Sequence, residues 1–321
     1  MSGFFYSTAR RAVNIPGVLV GLLALLVLRL AAATLPGSAV PQQERPPSFS
    51  VGVSAVALDV VVTDTKGRFV RGLTEDDFLI MEEGNPQEVA FFTSEGTSVS
   101  VLVLLDSSAS VRANLKDVQN AANRFIDRLP RGDAARIGFF HDRVVFGPGF
   151  TDNMKEHVAM INQMRPQRST HLYDALLASL QELSTVQDRK ALLVFTDGDD
   201  EGSEASMEEA LEAVRRSRVS VYAVGLLGWS AADGMNINEG LLTQVADYTG
   251  GRAFFPTDER EMRTAFDTIS EELHRQYRMA YFPPTSDGES GWHNVEVKMT
   301  NRKNLVVRTR LGYYRHPEAV Q

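Results

Sequence analysis

Two long apolar runs in this sequence each end in an acid. Residues 99–106 read VSVLVLLD and residues 190–197 read KALLVFTD. A continuous apolar run is what a strand buried on both faces requires, and open α/β sheets bind ligands at the C-terminal ends of such strands. The first acid opens Asp106-Ser107-Ser108-Ala109-Ser110. Alternate residues of a loop leaving a strand can turn one carboxylate and two hydroxyls to the same side. The second acid, Asp197, follows Thr196 and precedes Gly198. Carboxylates and hydroxyls gathered on one edge form a hard oxygen donor set, suited to Mg²⁺, Mn²⁺ or Ca²⁺ and not to zinc or copper. The chain has no cysteine, which removes disulfides, thiolate nucleophiles and cysteine zinc sites together.

These acids need elements that bring them to one edge. After Val99 to Asp106, helical spacing runs from Val111 to Leu129 through Val118, Ala122, Phe125 and Ile126. Strands are expected at Ala135 to Phe140 and Val144 to Phe146, and helices at Asn153 to Met164 and Leu172 to Leu183. Beyond the second acid come a helix at Met207 to Arg216, a strand at Val219 to Leu227, and a helix at Glu239 to Tyr248. A short strand at Arg252 to Phe255 and a long helix from Glu259 to about Tyr277 complete the series. Strands separated by helices pair in parallel through right-handed crossovers, so the predicted class is α/β with a doubly wound, mostly parallel sheet.

On both sides the texture is β. Val51 to Val62 alternates, and the turn Asp64-Thr65-Lys66-Gly67 before Phe69 and Val70 reads as a β-hairpin. Residues 278–315 contain further strands. Neither flank has enough strands to bury a core alone. The expectation is therefore that residues 49–95 and 278–315 combine into one small β domain, with the α/β domain of residues 97–277 inserted between them.

Hydrophobic residues make up 43% of the chain and charged residues 23%, the balance of an ordinary globular protein. The net charge of −8 and the lack of a Lys/Arg stripe argue against a nucleic-acid partner. Residues 1–35 differ: Arg10 and Arg11 precede the apolar run Val18 to Leu28, which is shorter than the roughly 20 residues of a membrane span and is followed by small residues. This segment reads as a cleaved signal peptide or, alternatively, an N-terminal membrane anchor, and either places the body outside the cytoplasm. The Pro-rich stretch 36–48 reads as a tether.

Taken together, the Asp106-x-Ser108-x-Ser110 loop, Thr170 in Arg168-Ser169-Thr170-His171-Leu172-Tyr173-Asp174-Ala175, and Asp197 in Phe195-Thr196-Asp197-Gly198 resemble the von Willebrand factor type A domain and its metal-ion-dependent adhesion site. The resemblance covers about residues 97–277. It implies that Asp106, Ser108, Ser110, Thr170 and Asp197 hold one divalent ion, Mg²⁺ with Mn²⁺ or Ca²⁺ as alternatives, and that an Asp or Glu of a protein partner completes the ion's shell. It also implies that ligand arrival shifts the loops and the C-terminal helix. One departure is that Arg168 and Ser169 stand where the family often has glycine before the Thr. The flanking elements Leu73 to Phe78 (Leu-x-x-x-Asp-Phe) and Gly312 to Tyr314 (Gly-Tyr-Tyr) further resemble von Willebrand A-related proteins of Acidobacteria.

The reading that follows is a metal-dependent binding or adhesion module and not an enzyme. Two alternatives stand beside it. One is a metal-dependent hydrolase or phosphatase using Ser108 or Ser110; against it, the sequence has no Gly-x-Ser-x-Gly elbow and no Asp-x-Asp pair after the first strand. The other is a structural domain with a vestigial site. Asp199, Asp200, Glu201 and Glu204 are either a second cation site or a solvated acidic loop. His171, Arg165, Arg168 and the loop residue Trp229 are candidates for partner contact, against ordinary surface roles. The histidines at 141, 157, 274, 293 and 316 lack zinc spacing, and Tyr222, Phe254 and Phe255 fall on core positions.

Overall fold

The computed structural model describes residues 55–94, 98–109, 111–112, 115–167, 169–187, 189–225, 238–284 and 290–315. The expected export segment and tether, Ser110, Arg168, Trp229 and His316 lie outside the described residues. Among the described residues, no helix is long and apolar enough to cross a membrane.

The N-terminal flank supplies β1 (Val56–Asp64), β2 (Phe78–Glu82), β3 (Asn85–Gln87) and β4 (Phe91–Thr93). The α/β body follows with β5 (Val99–Asp106), α1 (Leu115–Asp127), β6 (Ala134–Phe140), β7 (Val144–Phe146), α2 (Met154–Gln163), α3 (Leu172–Ser184), β8 (Arg189–Thr196), α4 (Met207–Arg216), β9 (Ser220–Gly225), α5 (Glu239–Thr249), β10 (Ala253–Phe254) and α6 (Glu259–Arg275). The C-terminal flank supplies β11 (Tyr277–Tyr281), β12 (Gly291–Met299), β13 (Leu305–Arg308) and β14 (Gly312–Arg315).

The body is a six-stranded sheet of order β10-β9-β8-β5-β6-β7, parallel except for the edge strand β7. One face is covered by α1, α2 and α6 through Val118, Phe125, Ile161, Phe266 and Ile269. The other is covered by α3, α4 and α5 through Leu172, Leu176, Leu211, Val214 and Leu242. This is the doubly wound arrangement that the alternation of elements demanded. β5 and β8 are buried along nearly their whole length, as their uninterrupted apolar runs require. Helix ends are set locally: Ser206 and Glu209 form a reciprocal capping box on α4, and Asp258 caps α6 by accepting the Glu261 amide. At the end of α5, Gly250 has φ 76° and a Cβ on Gly251 would stand 1.8 Å from the Val221 carbonyl, so only glycine lets the chain turn back beside β9.

The flanks pair with each other. They form two antiparallel sheets, β13-β1-β11-β4 and β14-β12-β2-β3. Both close on one core of Leu58, Val60, Phe78, Ile80, Met279, Tyr281 and Val297. The expected hairpin after β1 shrinks to a turn, in which Asp64 accepts the Lys66 and Arg68 amides, and a single bridge from Thr63 to Phe69. β1 pairs instead with β11 from Val56 to Val60 and with β13 from Val61 to Asp64. The few residues between that turn and Gly72 (φ 73°) are too short a return strand to compete with those two ladders. The last two strands, β13 and β14, likewise join different sheets.

Candidate metal centre

β5 lies between β6 and β8, and the chain leaves it toward β6 before returning on the far side to build β8. The C-terminal ends of β5 and β8 therefore flank the topological switch point, where the loops diverge and leave a crevice. Asp106 is the last residue of β5 and Asp197 the first after β8.

Three loops meet there and are stitched by backbone hydrogen bonds. In the first, the Ser107 amide and hydroxyl both donate to the Phe140 carbonyl, each at 2.8 Å. The Gln167 amide donates to the Ser107 carbonyl at 2.7 Å, which ties in the loop that carries Thr170. That second loop is tied to the third: the Glu201 amide donates to the Thr170 carbonyl at 2.7 Å, and the Ser169 hydroxyl to the Glu201 carbonyl at 2.8 Å. The His171 amide closes onto the His141 carbonyl.

Asp106 has no exposed surface. Its Oδ1 accepts the Ser108 amide and its Oδ2 the Thr196 hydroxyl, each at 2.8 Å, and the Ser108 hydroxyl adds a further bond. Burial, followed by the charge of Asp197, pushes the Asp106 carboxyl up to about 7, against the lowering effect of these donors. Asp197 is half-buried, with its Oδ1 accepting the Asp199 amide and its carbonyl accepting the Asn238 amide at the head of α5. Asp199 is raised as well, by burial and then by Asp197 and Glu201. Gly198 turns at φ 85°, where a Cβ would press on Asn238 and Leu242 at 3.2 Å.

The structure thus brings Asp106 together with Ser108 and Asp197, and anchors buried Thr170 in a loop bonded to both of the others. Ser110 lies outside the described residues. The donors are all oxygen, and the crowding of two carboxylates at a buried position is what a divalent cation offsets, so these residues fit such an ion.

Several neighbours have other work. Asp200 accepts the Tyr173, Gly202 and Ser203 amides and the Ser203 hydroxyl, so both its oxygens are committed to capping α3 and its adjoining turn. Asp174 does the same for the Glu204 and Ala205 amides. Arg165 donates to the Asn162 and Met164 carbonyls at the end of α2. The Ser108 hydroxyl serves Asp106, which counts against a nucleophile activated by an imidazole. Sequence reasoning missed Thr196, whose hydroxyl links Asp106 to the Gly198 amide. The available signal was a polar residue closing an otherwise apolar run immediately before an acid. Of the expected core aromatics, Tyr222 is fully buried, while Phe254 and Phe255 are half-buried.

Comparison with known proteins follows the same lines. Among solved structures, a von Willebrand factor type A protein from Catenulispora acidiphila matches with 10% identity over 82% of this chain and 75% of its own, at a TM-score of 0.50. An aerotolerance-related membrane protein from Bacteroides fragilis matches with 15% identity over 55% of this chain and 98% of its own, at 0.45. Proximal thread matrix protein 1 from the mussel byssus, in a structure with a zinc-occupied adhesion motif, matches with 18% identity over 60% of this chain and 49% of its own, at 0.47. A search of curated proteins gives no match. The family model for the von Willebrand factor type A domain matches residues 100–268, more than half of the chain and the whole of the segment that carries the three loops, and the chain belongs to that family.

Proposed function

We propose that this protein is an extracytoplasmic binding module that uses a divalent ion, held by Asp106, Ser108, Ser110, Thr170 and Asp197, to grip an acidic group of a protein partner. The observation that carries the reading is the pairing of a fully buried Asp106 with Asp197 across the switch point, in a ring of loops fastened to one another. When bound, the ion supplies a positive centre that can accept a further carboxylate. Asp106 and Asp197 supply its charge compensation, and the hydroxyls of Ser108, Ser110 and Thr170 supply neutral ligands. Two charges and three neutral donors leave a divalent cation electrophilic and open to another anionic ligand. Thr196 and the Ser108 amide fix the orientation of the Asp106 carboxylate, and backbone bonds tie the loop of Thr170 to the loops of Ser107 and Glu201. Such preorganisation lowers the ordering cost of binding.

The proposed division of the chain is export segment 1–35, tether 36–48, metal-bearing domain 97–277, and a β domain from 49–95 and 278–315. Location outside the cytoplasm rests on Arg10, Arg11 and the apolar run after them. The open ligand position is tested by loading the full chain with Mn²⁺ and measuring water-proton relaxation. The expected result is enhanced relaxation from a metal-bound water, reduced on adding acetate and absent in Asp197→Ala. Enhancement that acetate leaves unchanged contradicts carboxylate capture.

A further inference from the structure

The chain passes between the flank sheets and the parallel sheet twice. It goes in between β4 and β5, and it comes out where Gln276 alone separates α6 from β11. One carboxylate touches both crossings. Asp133, immediately before β6, accepts the amide of Val99, the first residue of β5, on Oδ1 at 3.0 Å. Its Oδ2 lies 2.6 Å from Nε2 of His274, in the last turn of α6. The other ring nitrogen, Nδ1, lies 2.6 Å from the Ser270 carbonyl oxygen.

A carbonyl oxygen and an ionised carboxylate can only accept. Both ring contacts are therefore hydrogen bonds only when the imidazole carries two N–H groups. A neutral ring has one, and the second contact then sets two lone pairs against each other. Asp133 is buried, so its oxygen has little recourse to water. We propose that Asp133 and His274 form a proton-operated clasp across the two crossings, closed with the imidazolium and loosened when it loses a proton.

The charged groups facing His274 are Asp133, from the loop before β6, and Arg189, from the start of β8. On its own helix Arg275 pairs with Glu271. The Asp133 bond is the largest influence and raises His274 above the ordinary histidine value, with burial and Arg189 opposing. A raised value means that the clasp contributes fully below the unfolded-state value near 6.5 and is lost as pH rises through the higher folded value. It opens on the alkaline side. Two other anchors hold the outbound crossing: Glu272 pairs with Arg308, and Gln276 binds Arg189 and the Tyr222 hydroxyl. Neither anchor includes a histidine.

The test uses the full chain and does not depend on the metal reading. In ¹⁵N-histidine spectra, the His274 ring, assigned by its absence in His274→Gln, is expected to titrate above about 6.5; a midpoint at or below that value overturns the proposal. Amide exchange at Val99, corrected for intrinsic rates, is expected to lose protection about tenfold between pH 6 and 9 in the native chain. In His274→Gln, where the side-chain amide can donate to Asp133 at every pH, protection should stay level. An equal loss in both overturns the clasp. If His274→Gln does not fold, Asp133→Asn serves instead: the His274 midpoint must fall relative to the native chain, and an unchanged midpoint overturns the proposal.

Discussion

The two ends of the parallel sheet handle charge in opposite ways. At the C-terminal end, Asp106, Asp197 and Asp199 crowd together, and burial and mutual repulsion raise Asp106 and Asp199. At the N-terminal end, the buried acids among the described residues meet bases: Asp133 meets His274, Glu272 meets Arg308 and Arg252, and half-buried Asp59 lies near Arg189 and Arg278. A fold that compensates its carboxylates at one end can do so at the other, so the like-charge cluster supports the proposed cation site. On the proposed reading the contrast also separates roles, with one end reserved for a ligand and the other fastening the flanks.

The largest effect should come from relieving the crowded end. Because Asp106 is raised in the folded state, the metal-free chain should lose stability as pH rises from about 4 toward 7. The loss should be on the order of 4 kcal/mol. Asp106→Asn should flatten that profile in urea unfolding, while Mg²⁺ should restore alkaline stability to the native chain alone. Breaking the compensated end should cost slightly less. Arg308→Ala leaves Glu272, 1% exposed, facing Arg252 at 3.7 Å, and should destabilise by about 3 kcal/mol. That loss should persist unchanged whether or not Mg²⁺ is present. Thr196→Val keeps the shape and removes the hydroxyl that serves Asp106, so it should cost about 2 kcal/mol and weaken metal binding. Ser206→Ala, in the capping box of α4, should cost about 1 kcal/mol without touching metal affinity.

Much of the parallel sheet was legible in sequence because its strands are buried on both faces and its helices are amphipathic. Both patterns are local. The runs of β5 and β8 announce strand, burial and terminal acid at once, and the helix expected at Met207 to Arg216 has those bounds in the fold. The flanks were less legible, since β1 chooses partners more than 200 residues away by packing, which no local pattern encodes. At the crowded edge, residue types and spacing pointed to Asp106, Ser108 and Asp197, which the fold brings together. The contribution of Thr196 and the commitment of Asp200 and Arg165 to capping depend on which backbone groups a loop brings near, which only the folded chain decides. The clasp of Asp133 and His274 was invisible for the same reason, its partners standing 141 residues apart.

The central claim is that the crowded end of the sheet holds a divalent ion. Calorimetric titration of the full chain with Mg²⁺, Mn²⁺ and Ca²⁺, beside Asp106→Ala and Thr170→Ala, tests it most directly. The account predicts a single binding event in the native chain, lost in Asp106→Ala and weakened in Thr170→Ala. Binding that persists undiminished in Asp106→Ala, or no binding of any of the three ions to the native chain, would contradict it.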